Sequence, residues 1–221
     1  MADRPLFTDA DRERIREAVA AAETRTSGEI VPYVVRASGS YPVAVWRGAS
    51  AGALLAALLA LAFAWLYAGW GMDWLYSAWA MALTVALGGV VGAVLGGAVA
   101  PLRRLLAGAD LLDETVHRRA ALAFVEEEVF DTRDRTGILL FVSLLEHRIE
   151  VVGDAGINAK VEPDEWVEVV GRLRAGVVQG DLAGGIVAAV ELCGDLLHRS
   201  GVAVRPDDTD ELSDGVRVRD E

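Results

Sequence analysis

Residues 48–102 read GASAGALLAALLALAFAWLYAGWGMDWLYSAWAMALTVALGGVVGAVLGGAVAPL, and this stretch decides how the rest of the chain can fold. Asp73 is its one charged side chain, so the formal net charge of −12 lies almost entirely outside it. Uncharged runs of 25 and 29 residues lie before and after Asp73. As helices at ~1.5 Å per residue, both runs can cross a hydrocarbon core of ~30 Å. We therefore predict a transmembrane hairpin within 46–102, with spans at about 48–70 and 75–101.

Basic residues flank this predicted hairpin on the side of the two chain ends. Arg36 and Arg47 precede the first span, Arg103 and Arg104 follow the second, and the turn at Asp73 has no Lys or Arg. Basic flanks favour the cytoplasmic side of a membrane, tryptophans favour its interfaces, and the N-terminus has no apolar signal segment. We therefore expect a multi-pass protein of the cell (inner) membrane with both termini in the cytoplasm. The expected interfacial residues are Trp46, Trp65, Trp70, Trp74 and Trp79.

Small residues recur at every fourth position in both predicted spans. The second span has Gly88, Gly92 and Gly96, and the first has alanines at the same spacing. Such a stripe lets another helix approach closely. Two partners fit it, namely the first span of the same hairpin or a second copy of the chain in a homo-oligomer. Because the two spans carry no intramembrane ionisable residue except Asp73 at the turn, a transporter is not expected.

The residues outside the hairpin are expected to form one domain that the hairpin interrupts. The segment 1–45 predicts a helix and one strand, Glu29–Arg36, which cannot bury a core alone. Its partners must come from 103–205, where strands are predicted at Ile138–Leu144 and Ile149–Val152 among amphipathic helices. This order predicts the α/β class, with an α/β/α sandwich on a small mixed sheet, interrupted by the two-helix transmembrane hairpin.

Composition details refine this prediction and exclude some functions. The unbroken apolar run of Ile138–Leu144 favours a central strand, whereas Pro32 favours an edge or a bulge. The acidic residues 206–221 are expected to form a flexible tail.

The single cysteine, Cys193, rules out an internal disulfide and a multi-cysteine zinc site, and its spacing predicts a core thiol. No nucleic-acid partner is expected, because polyphosphate binding needs a cationic face.

Two stretches of the predicted domain carry a family resemblance. Glu23–Val31 (ETRTSGEIV) is a helix end that enters a strand through a TSGE turn. Thr136–Leu144 (TGILLFVSL) is followed by Glu146–Ile157 (EHRIEVVGDAGI), and then by Trp166 and Gly184–Ile186. In this order the segments resemble the TPM-domain family, named after a thylakoid-lumen photosystem-repair phosphatase. The hairpin after the first strand is the departure, and it suggests a bacterial membrane-protein branch.

The resemblance implies several properties of this chain. It implies an α/β/α fold, calcium as a cofactor and, for plant members, acid phosphatase activity. Other members resemble assembly or accessory factors.

Asp154 and Glu29 are the candidate metal ligands. Asp154 follows a strand and is flanked by glycines, and ligands collect at strand ends in α/β sheets. Glu29 opens the first strand and could approach the same edge. A hard cation such as calcium would take several oxygen ligands there. The alternative is structural, with Asp154 capping a turn and Glu29 on a solvated face.

Arg133 and Arg135 are the candidate phosphate-binding residues. Phosphoryl transfer needs cations that stabilise the transferring oxygens, and these arginines are a compact basic pair near Asp154. The structural alternative is that residues 131–137 (DTRDRTG) are a charged connection between a helix and a strand. Because there is no phosphate-binding glycine loop, no catalytic residue is assigned.

Two functions remain open at this point. The first is a membrane-anchored binding, assembly or accessory factor, with the lipid bilayer and another membrane protein as partners. The second is a metal-dependent, calcium-linked acid phosphatase.

Overall fold

The computed structural model describes residues 5–67, 77–202, 204 and 211–219. The predicted turn at Asp73, with Trp70 and Trp74, therefore lies outside the described residues, as does the first part of the predicted tail. The chain divides into two compact units, Met1–Ser38 with Thr115–Glu221, and Gly39–Glu114. Each unit is described by itself below.

The helices and strands alternate along the chain as expected for a mixed α/β protein. In chain order they are α1 (Asp9–Glu23), β1 (Glu29–Val35), α2 (Pro42–Leu66), α3 (Ala78–Ala98), α4 (Ala100–Ala107), α5 (Ala109–Glu126), β2 (Gly137–Ser143), β3 (Arg148–Gly153), α6 (Ala155–Asn158), a 3₁₀ turn (Pro163–Glu165), α7 (Trp166–Gln179), α8 (Leu182–Arg199) and β4 (Arg217–Arg219).

The strands form one four-stranded sheet in the order β3-β2-β1-β4. Strand β1 pairs in parallel with β2 and with β4, whereas β2 and β3 are antiparallel. The mixed α/β class and the small mixed sheet are thus confirmed, and β2 is central as its apolar run predicts. A strand that precedes α2 and α3 in the chain pairs with a strand that follows them.

Alternate residues of the central strands enter two separate cores. Ile30, Val34 and Leu140 pack with apolar side chains of α1, α7 and α8. Val31 and Leu139 point the other way and pack against α5. Because successive strand residues face opposite sides of a sheet, helices on both faces require strands that are apolar at every position. Every residue of β1 and β2 is buried.

Among the described residues, Pro32 has a neighbouring strand on one side of β1 only. Strand β2 pairs with β1 along its full length, from Glu29 to Val35, but β4 pairs only with Tyr33–Val35. Pro32 therefore lies at a position that is locally an edge, as its missing N–H predicts.

The C-terminal segment differs from the expected flexible tail. Residues 217–219 form β4, and Val216 is 7% exposed in the core beside α1 and α8. Valine alternates with arginine in this segment, so that Val218 packs against the same core while Arg219 contacts Glu127. The acidic composition of 206–221 predicts a flexible tail, whereas three alternating residues are too few to predict a strand from the sequence.

The second unit consists of two long apolar helices and a short third one. Helices α2 and α3 are long and apolar enough to cross a membrane, by length and composition alone. Helix α2 begins at Pro42, earlier than the predicted span, because proline suits the first turn of a helix. Val99 has an extended backbone and Pro101 follows it, which separates α3 from α4.

The glycines of α3 face α2 of the same chain. A Cβ added at Gly92 would lie 2.1 Å from the carbonyl oxygen of Gly48, and one at Gly96 would lie 2.5 Å from that of Ala44. A Cβ at Gly88 would lie 2.4 Å from Cβ of Ala56. The stripe therefore serves packing within the hairpin, the first of the two partners considered above. Homo-oligomerisation through the same glycines remains an untested prediction.

Candidate functional site

The two candidate metal ligands lie at one edge of the sheet. Glu29 is level with Gly137 at the start of the parallel strands, and Gly153 ends β3 beside Ile138. The amide of Asp154 donates to the carbonyl of Gly137 at 2.9 Å. With ~4.8 Å between strands, the backbones of Glu29 and Asp154 are on the order of 10 Å apart. The two backbones therefore lie at the same end of the strands, with β2 between them.

Asp154 is a buried helix cap that is paired with Arg135. Its side chain is 6% exposed, and Oδ1 accepts hydrogen bonds from the amide of Ala155 at 2.7 Å and from Nη2 of Arg135 at 3.0 Å. Nε of Arg135 lies 2.7 Å from Oδ2, outside hydrogen-bond geometry. Both carboxylate oxygens therefore already face a cation from this chain.

Arg135 is held in an uncommon backbone conformation. Its φ of 57° lies in the left-handed region, which non-glycine residues rarely adopt. Its carbonyl accepts from the amide of Gly156 at 2.9 Å, and its guanidinium lies 5.8 Å from the centre of the Phe130 ring. These contacts tie the 131–137 connection to the loop after β3. Arg135 is more than half exposed, so solvent screens its ion pair with Asp154.

Glu29 and Arg133 both contact the C-terminal segment. The Glu29 carboxylate, in a residue only 7% exposed, accepts from the amides of Glu211 and Leu212 at 3.2 and 3.3 Å. The Glu211 carboxylate accepts from the amide of Arg133 at 3.0 Å. In this contact Arg133 acts through its backbone, not its guanidinium. The segment at 211–212 was missed because only long-range pairing brings it to this edge.

Among the described residues, no three His, Cys, Asp or Glu side chains lie close enough together to hold a metal ion. At the sheet edge Asp154 is turned to Arg135 and Glu29 to backbone amides. The geometry brings the four candidates into one region, where Asp154 is paired with Arg135, and Glu29 and Arg133 both bond to Glu211. The calcium hypothesis rests on the resemblance.

A second polar cluster lies at the opposite end of the same strands. Glu146 is 1% exposed and accepts from the amide of Ser38 at 3.0 Å and from the hydroxyl of Ser143. The hydroxyl of Ser38 donates to that of Ser143 at 2.8 Å. This network stabilises the chain where β1 ends, since a buried carboxylate is costly unless it is hydrogen-bonded. A glutamate three residues after an apolar strand was the available sequence signal.

A third buried polar group surrounds the phenol of Tyr33. Nη2 of Arg119 donates to the Tyr33 oxygen at 2.9 Å, and its guanidinium carbon lies 5.6 Å from the ring centre. Burial raises the pKa of Tyr33, so the phenol stays neutral at physiological pH. Nη1 of Arg119 also contacts Glu126 at 3.1 Å. This arrangement joins β1 to α5 and offers no exposed reactive group.

The fold and the polar sheet edge together define the class of protein. The chain is a mixed α/β protein with two helices that could span a membrane and a polar sheet edge formed by Asp154, Arg135 and Glu29. No protein-family model matches it, and no curated protein does.

A solved structure shares the fold. It is the NMR structure of the BA42 protein from the psychrophilic bacterium Bizionia argentinensis, with a TM-score of 0.60 and 18% sequence identity. The alignment covers 99% of this chain and 100% of that one. At this identity the similarity supports the fold alone.

Proposed function

We propose that the chain is an integral protein of the cell (inner) membrane, in which an α/β/α sandwich domain is anchored by a transmembrane hairpin and acts as a binding, assembly or accessory factor. The observation that carries the membrane assignment is the exposure of α2 and α3. At most 6% of the most apolar stretch of either helix is buried. A core helix of a soluble protein would be mostly buried, whereas a lipid-facing helix pair needs little protein around it.

The charges near the hairpin support a cytoplasmic domain. Arg47, Arg103 and Arg104 lie at the end where the chain enters and leaves the hairpin. Positive residues favour that side of the membrane. A reporter that is active only in the cytoplasm should therefore be active when fused to the C-terminus. An active C-terminal fusion of a reporter that works only after export would contradict this orientation.

Alkaline carbonate extraction tests the membrane assignment directly. We expect the full chain to stay in the membrane pellet, because burying two apolar helices in lipid outweighs the loss of peripheral contacts. A variant with residues 40–104 replaced by a Gly/Ser linker is the matched control, and it should be released. Release of the full chain as well would refute the assignment.

The arrangement of the candidate site favours binding or assembly over catalysis. The four candidate residues are engaged as a helix cap, an ion pair and contacts to the C-terminal segment. Asp154 and Glu29 are also largely buried. Candidate residues that are engaged within the chain suit a rigid domain that presents a surface, and the TPM resemblance includes assembly factors.

Photo-crosslinking in membranes tests the assembly role. Leu122 and Val125 are apolar residues on one side of α5 that are 50% and 57% exposed, so crosslinkers there would meet a docked partner. We expect a discrete adduct with one membrane protein from these positions and none from Val178, an exposed valine on α7. Equal adduct patterns from all three positions, or no adduct at Leu122 and Val125, would contradict this role for α5.

The alternative is a metal-dependent, calcium-linked acid phosphatase. The observation in its favour is that a buried carboxylate, Asp154, contacts a half-exposed arginine, Arg135, at the edge where Glu29 also lies. Asp154→Asn is the sharpest variant, because asparagine still caps α6 but removes the charge. Calcium-dependent hydrolysis of a phosphomonoester by the purified chain, lost in Asp154→Asn, would favour the enzyme over the assembly factor.

A further inference from the structure

One end of the hairpin concentrates positive charge without any acid. We call residues 42–50 and 96–107 the hairpin base. They contain Arg47, Arg103 and Arg104 but no Asp or Glu. These arginines lie at the start of α2 and within α4, directly beside the apolar surfaces of α2 and α3.

Two of the arginines are positioned by helix ends. Nη1 of Arg47 donates to the carbonyls of Leu106 and Ala107, at 2.6 and 3.2 Å, where α4 ends. Nη2 of Arg103 donates to the carbonyl of Gly97 at 2.5 Å, where α3 ends. The last carbonyls of a helix have no partner within it and carry partial negative charge, so they orient a guanidinium well.

Partial charges on carbonyls do not neutralise two full positive charges. Within residues 5–67, 77–202, 204 and 211–219, neither Arg47 nor Arg103 forms an ion pair with a carboxylate. Nε of Arg103 is buried and has no hydrogen-bond partner among these residues. A cation at the border of a low-dielectric region needs an anion nearby, because desolvation otherwise disfavours it.

The surroundings of the arginines suit a lipid better than a free ion. Helix α4 follows a break at Val99 and exposes Leu105, which is 76% accessible, while Trp46 is 73% accessible. Short helices that carry both arginine and leucine lie along membrane interfaces, and tryptophan concentrates there. The hairpin base thus offers apolar side chains for acyl chains next to guanidinium groups.

We propose that the hairpin base binds the phosphate of an anionic phospholipid through Arg47, Arg103 and Arg104, with Trp46 and Leu105 against its acyl chains. This inference rests on the proposed membrane insertion. Guanidinium groups match phosphate geometry with paired hydrogen bonds. The bound lipid supplies an anion for Arg47 and Arg103, whose contacts among the described residues are to backbone carbonyls.

Purified full chain in nanodiscs tests this inference. One set of discs contains phosphatidylcholine alone and the other contains one-third phosphatidylglycerol. We expect phosphatidylglycerol to be enriched among lipids that remain bound after detergent extraction, and to raise the melting temperature. Arg47→Gln and Arg103→Gln should each lower the enrichment about fivefold. Arg172→Gln, the same change on the exposed face of α7, should leave it unchanged.

For each variant, the melting temperature in phosphatidylglycerol discs is compared with that in phosphatidylcholine discs. A variant that is less stable in both lipids still shows whether phosphatidylglycerol stabilises it. No enrichment in the unmodified chain, no effect of the two Gln changes, or an equal effect of Arg172→Gln would overturn the inference. An equal rise in melting temperature with inorganic phosphate in phosphatidylcholine discs would also overturn it. Insertion without lipid preference leaves the proposed function intact, whereas a chain that enters neither disc overturns both.

Discussion

Asp154 illustrates how one side chain can satisfy both a functional and a structural expectation. It lies at the predicted strand end and is buried, yet its oxygens bond the amide of Ala155 and face Arg135. These partners supply a hydrogen-bond donor and a cation from within the chain itself. Asp154 therefore contributes to the local fold as the cap of α6 and the partner of Arg135, whether or not a ligand binds.

The start of α1 provides a pH-dependent prediction at the scale of single residues. Thr8 and Asp11 form a reciprocal capping box. Hydrogen bonds from the Thr8 hydroxyl and amide lower the pKa of Asp11. A lowered folded-state pKa stabilises the protein above the unfolded pKa of ~3.9, and this contribution is lost as the pH falls through the folded value.

Thr8→Ala should therefore raise the pKa of Asp11 toward its ordinary value and cost ~1 kcal/mol of stability at neutral pH. An NMR titration of the Asp11 carboxyl measures the pKa, and thermal unfolding measures the stability. Thr24→Ala, at the other end of the same helix, is the control and should leave the Asp11 pKa unchanged. An unchanged pKa in Thr8→Ala would contradict the capping box.

Cys193 provides a second prediction for a single residue. It is fully buried in the core between α8 and the sheet, and burial raises the pKa of its thiol. Because the thiolate is the reactive form, we expect alkylating reagents to modify Cys193 only after unfolding. Labelling by mass spectrometry across a denaturant series checks this. Rapid modification of the native protein would contradict a buried thiol.

At the scale of elements, the packing of α2 on α3 depends on the absence of side chains. Gly92 approaches the backbone of Gly48 so closely that even a methyl group needs a shift of the helices. Gly89, on the same helix, would place a Cβ 3.5 Å from its nearest neighbour, which is an ordinary contact. Gly92 and Gly89 therefore allow the same substitution to be compared at a tightly packed and at a loosely packed position of α3.

We predict that Gly92→Ala destabilises the hairpin by about 1–3 kcal/mol through overpacking. Gly89→Ala should be neutral or stabilising, because alanine is the better helix former. Thermal unfolding of both variants in the same detergent makes the comparison. Equal behaviour of the two variants would indicate that α3 does not pack against α2 through this face.

At the scale of the whole molecule, the described residues that form the cores of the sheet unit include none from α2 or α3. Both apolar clusters beside the sheet come from residues before Ser38 or after Thr115. Deleting the hairpin should therefore leave these cores complete, and α5 still connects β1 to β2 as a parallel pair requires.

We expect the variant in which a Gly/Ser linker replaces 40–104 to fold cooperatively and to remain in solution. Circular dichroism and a single thermal transition would confirm folding. A variant that also lacks residues 211–221 is the comparison, and it should melt at a lower temperature because Val216 and β4 are lost. A hairpin-deleted chain without a cooperative transition would show that the sheet unit depends on the hairpin.

Much of this protein can be predicted from the sequence because the strongest patterns are local. Continuous apolar runs indicate α2, α3 and β2, and capping and spacing indicate α1. Strand β4 and the cover of Glu29 by residues 211–212 could not be predicted, because both depend on contacts between distant parts of the chain.

The sequence by itself determined the mixed α/β class, the two apolar helices and the residues of the polar sheet edge, because hydrophobic periodicity and charge placement act over a few residues. Only the tertiary structure decided that Asp154 pairs with Arg135, that Glu29 meets the C-terminal segment and that the glycine stripe faces α2. Each of these depends on strand order or helix register, which arise when the whole core is buried at once.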